Sequence, residues 1–405
     1  MDIFKGFIEK FIFLDSTRSS LWITIRYAFV AGTGFFSTIL LTRLLVPEVY
    51  GAFQYYLALI AFFSFLTLPG LNLAALKSVA EGNPSVMFQA IVYSFCCGGL
   101  IIPSVLLWEF FMVEKMMVSF PWLLFICLLS VPFYAFNTWY VFYEGQQNFF
   151  ASALRAMLVA TVTVVTLVIL AFFQSSPAVL LSGYFLSGSI VAFIFCIEIY
   201  FLVKKTKINA SLDLKYGYKA TFQKFITSLS ETLPLLLIGS FYGTVEVATF
   251  QIAFYIYLSF SGYLSALSSM LLPKFFLGYH LRGGRLVIQQ GIIGILVGIT
   301  IIFISFIIFP VLFHDSYQEG RYILLLLTPF ACLLPIRNYL ATYLSAKEPG
   351  YMTIIVLIAN SIAASVFIFN LEKGFIVSGV SYLGTVSLIL LVLLTHRYLR
   401  FSKAD

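Results

Sequence analysis

The stretch VKKTKINASLDLKYGYKATFQ, residues 203–223, is the longest polar interruption in an otherwise apolar chain. It carries Lys204, Lys205, Lys207, Lys215 and Lys219 against one acid, Asp213. Working outward from it, six long apolar stretches lie on each side. A helix needs about 20 apolar residues to cross a bilayer. Twelve segments meet that need, near 20–43, 51–76, 86–110, 119–142, 150–173, 178–202, 224–243, 248–273, 286–312, 321–344, 351–371 and 375–397. Turn-forming residues separate them, among them Pro47 with Gly51, Gly82 to Pro84, Gln174 to Pro177, Gly283 with Gly284 and Pro349 with Gly350.

Composition demands the same solvent. The 405 residues are 61% hydrophobic and 10% charged, where a soluble domain carries about 25% charged residues. Charge placement then supplies the topology. Of the 24 Lys and Arg residues, all but five fall in alternate gaps, counting the N-terminal segment as the first. The remaining gaps hold only Arg43, Lys115, Arg321 and Lys373, and Arg337 lies inside the tenth segment. Basic loops stay on the cytoplasmic side, so both termini are expected there. Adding or losing one helix would scramble the separation. The net charge of +7 is explained by this bias and by anionic headgroups. The basic residues form no patch interleaved with aromatics, so nucleic acid is not an expected partner.

The expected fold is all-α and polytopic, with 12 transmembrane helices in two six-helix bundles related by a pseudo-twofold axis. Residues 1–19 read as an amphipathic interfacial helix, with Phe4, Phe7, Ile8, Phe11 and Leu14 on one face. Residues 20–203 form the first bundle, 204–223 a cytoplasmic linker, and 224–405 the second bundle with its tail. A faint self-similarity at an offset of 197 agrees with this split. It relates Phe53-Gln54 to Phe250-Gln251 and Lys77 to Lys274, and it places Arg26 one residue from the counterpart of Lys224. An even number of helices per half makes the repeats parallel, about an axis along the membrane normal.

Catalytic signatures are missing: there is no Walker loop, no HExxH and no GxSxG. The five cysteines lie inside apolar stretches, and His280, His314 and His396 are scattered. No metal, no cofactor and no enzymatic activity are therefore expected. The gaps on the outer side are too short to hold a sugar acceptor for a polymerase. What remains is transport, with the pathway between the two halves.

Charges inside a membrane are costly and normally face a cavity or a partner. Arg337 lies deep in the tenth segment between Pro335 and Asn338 and is the strongest pathway candidate. Arg26, two turns into the first segment, reads either as a snorkelling residue or as an anion-binding cation. Lys224 and Glu231 are seven apart and share a helix face. Glu231 precedes Pro234 and is either a coupling carboxylate or the partner of Lys224. Arg155 opens the fifth segment as an inner-leaflet anchor or a cavity cation. Glu109, Glu114 and Glu198 read as interfacial. Gly239-xxx-Gly243 and Gly294-xxx-Gly298 read as helix-packing seams.

The run Thr42-Arg43-Leu44-Leu45-Val46-Pro47-Glu48-Val49-Tyr50-Gly51 resembles the RxLGPxxYG turn of Wzx-type O-antigen flippases and related polysaccharide exporters. Leu68-Pro69-Gly70-Leu71, with Lys77-Ser78-Val79-Ala80, fits the same family, as does Gly243 to Phe250 followed by Leu272-Pro273-Lys274. Val46 stands where the turn usually has Gly, and Thr249 where a Tyr is often found. The resemblance implies the multidrug/oligosaccharidyl-lipid/polysaccharide (MOP) exporter fold in a bacterial inner membrane. Its cargo would be a polyprenyl-diphosphate-linked oligosaccharide, moved to the periplasmic leaflet by alternating access. Membrane lipids, H+ or Na+, and contacts with a polymerase or other polysaccharide-assembly proteins complete the implied partners. Arg43 and Pro47 match the turn motif as structural residues. A cation-coupled MATE-type antiporter is the alternative. It would need an acidic pocket in the first half, where no carboxylate lies deep in a segment. A polysaccharide polymerase is the remote third reading. The lipid II flippase branch usually has fourteen helices, two more than are found here.

Overall fold

In the computed structural model, residues 16–112, 118–173, 176–204, 211–269, 283–313, 315–347 and 349–401 are described. The chain crosses as α1 (Ser16–Leu44), α2 (Pro47–Thr67), α3 (Val86–Phe111), α4 (Phe120–Gly145), α5 (Phe149–Phe173) and α6 (Pro177–Val203). It continues as α7 (Leu214–Phe241), α8 (Thr244–Ser269), α9 (Ile288–Leu312), α10 (Gln318–Lys347), α11 (Pro349–Phe369) and α12 (Phe375–Phe401). No strand occurs among the described residues. Eleven of the twelve are long and apolar enough to span a bilayer. The twelfth, α7, is more polar because Thr227, Ser228, Ser230, Glu231 and Thr232 occupy its middle. This is a multi-pass, all-α membrane protein.

Packing repeats after six helices. In the N-terminal lobe α1 packs on α5, α3 on α4, α4 on α6, and α5 on α6. The C-terminal lobe repeats the set as α7 on α11, α9 on α10, α10 on α12, and α11 on α12. The lobes meet where α2 lies against α7 and α8, and where α1 touches α8. A buried core crosses that seam through Tyr56, Phe185, Phe250, Phe254 and Tyr382. Exposed side chains such as Phe172, Phe173, Val311 and Phe369 form an apolar exterior of the kind lipid covers.

Several expectations need correction. The apolar window 51–76 is not one straight helix. It breaks at Leu68-Pro69-Gly70, where Leu68 takes φ 55°, and resumes as a half-helix, Leu71–Ala80. Pro69 supplies no backbone N–H to an α-helical ladder. The linker is shorter than 204–223, because α7 already begins at Leu214, its first turn capped by Asp213, whose carboxylate accepts from the Tyr216 N–H at 3.0 Å. That first part of α7 is polar, so an apolar window could not see it. Likewise Ser16–Ser19 belong to α1. The amphipathic segment 1–15 and Glu114 lie outside the described residues.

Two glycines let α2 approach the other lobe. A side chain at Gly51 would place its Cβ 1.7 Å from the Thr244 carbonyl oxygen, and one at Gly70 would lie 2.1 Å from the Thr221 nitrogen. Hydrogen bonds reinforce both ends of the seam. Beside Gly51, Arg43 of α1 donates to the carbonyls of Leu312 (3.0 Å) and Val311 (2.8 Å) at the end of α9. Beside Gly70, its own N–H donates to Thr221 Oγ1 at 2.9 Å, and Phe65 packs on Phe225 with centroids 4.2 Å apart. Gly294 and Gly298 form the expected close seam, against Cys332 of α10. Gly243 instead ends α7 at φ 123°.

Candidate functional site: two unlike cavities joined at Tyr27

The C-terminal lobe encloses a cavity of 580 Å³ between α7, α8, α10, α11 and α12. It runs from Phe254 and Leu383 in mid-helix to Ser265, Met352 and Leu394 at the basic-face ends of their helices. Arg337 and Glu231 both line it. The polar middle of α7 is thereby explained, since Thr227, Ser230 and Glu231 face this space.

Arg337 is held loosely. Its Nη1 donates to Ser387 Oγ at 3.4 Å, and its Nη2 to Ser261 Oγ at 3.3 Å and Asn338 Oδ1 at 3.4 Å. Asn338 is fixed in turn by donating to the Ser261 carbonyl at 3.1 Å. Every partner is neutral, and every bond sits at the long end of the hydrogen-bond range. No ion pair of Arg337 occurs among the described residues. Glu231 is exposed to the cavity and is likewise without an ion pair.

The N-terminal lobe has a second cavity, of 460 Å³, between α1, α2, α4, α5 and α6 and closed by Gln251 and Tyr255 of α8. Its polar lining includes Thr33, Ser37, Thr38, Gln54, Asn137 and Thr163. The tight 3₁₀ turn Asn137–Trp139 interrupts α4 at this level and brings both Asn137 and Trp139 into the wall. Below it lies a recess of 230 Å³ lined by Arg26, Tyr27, Asn137, Trp139 and Tyr140. Tyr27 lines both this recess and the C-terminal cavity. The three spaces thus adjoin, from Gln54 through Tyr27 to Arg337.

The other expected residues fall elsewhere. Arg26 does line the recess, but its charge is already met by Glu144 of α4, and it donates to Ser152 Oγ at 3.1 Å. Lys224 does not pair with Glu231, and it lines neither cavity. It reaches across the seam to the Pro69 carbonyl at 3.3 Å, capping an acceptor freed by the break in α2. Arg155 also lines neither cavity. It grips Glu198 with Nη2 at 2.5 Å and Nε at 3.3 Å and stacks over Tyr143 at 4.2 Å. Glu198 is therefore an ion-pair partner as well as a helix-end residue. Glu109, read as interfacial, is fully buried and accepts from Tyr56 Oη at 2.5 Å. The N-terminal half does have a buried carboxylate, although it lines neither cavity. Sequence reading missed Tyr27, Gln54, Asn137, Trp139, Glu144, Gln251, Ser261 and Ser387. Only Gln54 and Gln251 left a trace, as mates in the offset of 197.

The family model for "Polysaccharide biosynthesis protein" matches residues 16–277, from α1 through α8. The chain belongs to that family. Solved structures agree on the fold across nearly all of its length. An inward-facing multidrug-resistance MATE family transporter of the MOP superfamily aligns with a TM-score of 0.68 at 14% identity, covering 94% of this chain and 96% of that one. A MOP superfamily transporter from Pyrococcus furiosus gives 0.63 at 11%, covering 95% and 93%. The lipid II flippase MurJ, in an inward closed conformation, gives 0.60 at 16%, covering 91% and 87%. The chain therefore shares the fold of these transporters. No curated protein matches the chain at the level of sequence.

Proposed function

We propose that this membrane transporter, which is not an enzyme, is a flippase for a polyprenyl-diphosphate-linked oligosaccharide. It moves its cargo from the cytoplasmic to the periplasmic leaflet of a bacterial inner membrane by alternating access. The family and the fold support the class. The observation that carries the reading is Arg337, a cation inside the membrane span that lines a cavity and whose hydrogen-bond partners among the described residues are all neutral.

The physical argument is one of unspent interaction. A half-buried guanidinium bound at 3.3–3.4 Å by hydroxyls and an amide gives up little when it turns to an anion. Its planar fork pairs with two phosphate oxygens at once, and such charge-assisted bonds are about twice as strong as neutral ones. With the basic face as the cytoplasmic one, the cavity admits the headgroup from inside while the lipid tail stays in the bilayer. Outward release requires the seam at Gly51 and Arg43 to open. Glu231, which lines the same cavity from α7, competes for Arg337 and is where a proton or Na+ would act. Arg26, Lys224 and Arg155 support the scaffold. Glu109 is the kind of carboxylate an antiporter would use, but it faces Tyr56 and lines neither cavity, and the N-terminal cavity has no acidic side chain in its lining.

The test is flipping of a polyprenyl-diphosphate-linked oligosaccharide by the full-length protein in proteoliposomes. Arg337→Ala should abolish flipping at normal expression, and Arg337→Lys should restore part of it. Unchanged flipping by Arg337→Ala would sink the reading.

A further inference from the structure

We propose that the N-terminal cavity is a sugar-binding subsite, separate from the diphosphate position at Arg337. This rests on the flippase reading and divides its headgroup between the two lobes. The chemistry of the wall selects the ligand. No charged side chain is among those lining the cavity, so a phosphate would find no cation and a cationic drug no carboxylate. An apolar tail would leave the polar groups of the wall stranded. The Trp139 indole N–H and the Gln251 side-chain carbonyl are buried with no hydrogen-bond partner, and both residues line this space. A buried unpaired polar atom costs about 1–3 kcal/mol. One is a donor and the other an acceptor, and a sugar hydroxyl serves either.

The aromatic lining fits the rest of a pyranose. Tyr184, Tyr255 and Trp139 contribute rings, whose negative faces suit the C–H-rich face of a sugar. At 460 Å³ the cavity lies within the ordinary range for small-molecule sites, about 300–1,000 Å³.

The repeat adds a second, independent observation. Gln54 of α2 and Gln251 of α8 are equivalent positions of the two halves, and both line this one cavity. Mates that face the same space lie close to the pseudo-twofold axis. Each amide offers donors and an acceptor, and each belongs to a different lobe. A sugar held between them touches both moving parts, so its presence is felt at the seam that must open.

The experiment uses the full-length protein in lipid nanodiscs with Trp22, Trp108 and Trp122 replaced by Phe, leaving Trp139 as the emitter. The probes are the methyl glycosides of glucose, galactose and N-acetylglucosamine, and separately farnesyl diphosphate. At least one glycoside should shift Trp139 emission saturably. Gln251→Leu and Gln54→Leu should each weaken that response roughly tenfold, while Arg337→Ala leaves it unchanged. Farnesyl diphosphate binding, read by calorimetry, should show the reverse dependence. Either glutamine variant suffices if the other does not fold. If farnesyl diphosphate binds and no glycoside shifts Trp139, the sugar subsite is wrong and the flippase reading stands. If glycosides bind and farnesyl diphosphate does not, the diphosphate reading fails and the sugar subsite survives. Tetraphenylphosphonium displacing the glycosides at lower concentration would overturn the subsite in favour of a cation pocket.

Discussion

The N-terminal lobe meets its deep cation, Arg26, with a carboxylate and a serine hydroxyl. The C-terminal lobe meets Arg337 with two serine hydroxyls and an amide. Both arginines belong to long apolar helices, Arg26 lining the recess and Arg337 the cavity that meet at Tyr27. The partner decides the difference in role. A matched guanidinium is scaffold, because drawing it away strands a carboxylate. An unmatched one is free to bind, because its neutral partners lose little. The same rule sorts Arg155, which is matched by Glu198.

The contrast can be broken by mutation, and the largest effect belongs to Arg337. Replacing it with Ala should weaken farnesyl diphosphate binding by about 100-fold, the worth of two charged hydrogen bonds, while the melting temperature in detergent hardly moves. Arg26→Ala should do the opposite. It leaves Glu144 uncompensated and should destabilise by about 3 kcal/mol, toward the low end for breaking a buried pair. The double variant Arg26→Leu with Glu144→Leu should recover most of that loss in a melting experiment. If Arg26→Ala alone melts normally and loses diphosphate binding, the assignment of scaffold and site is inverted.

Two smaller effects sharpen the picture. Glu231→Gln removes a negative charge from the cavity that Arg337 lines. Farnesyl diphosphate should then bind more tightly, by about fivefold if the repulsion is worth 1 kcal/mol. Weaker binding would show that Glu231 positions Arg337 instead of competing with it. Arg155→Ala should leave flipping intact and cost about 1 kcal/mol of stability, since its partner Glu198 is half exposed.

The two cavities also explain how far the chain could be read in advance. The long helices were legible because lipid imposes a length and a polarity on a span, and eleven of the twelve meet both. Arg337 was legible for the same reason, as a charge too deep to reach either surface. Arg26 was visible but not its partner. Glu144 is 118 positions away, close to a helix end, where an acid draws no notice. Glu109 escaped because its burial comes from Tyr56 and neighbouring helices, not from its own segment. The Trp139 and Asn137 wall was hidden in an apolar run, and only the 3₁₀ turn inside α4 aims it.

Sequence alone determined the solvent, the number of long helices and the presence of one deep cation. Those follow from local rules: the energy of apolar surface and of charge in a bilayer is set residue by residue. Tertiary structure alone decided which cations are matched, which glutamines line one cavity and where α2 breaks against α7. Several of these contacts join residues more than 100 positions apart. No periodicity along one helix records which face its neighbour will cover.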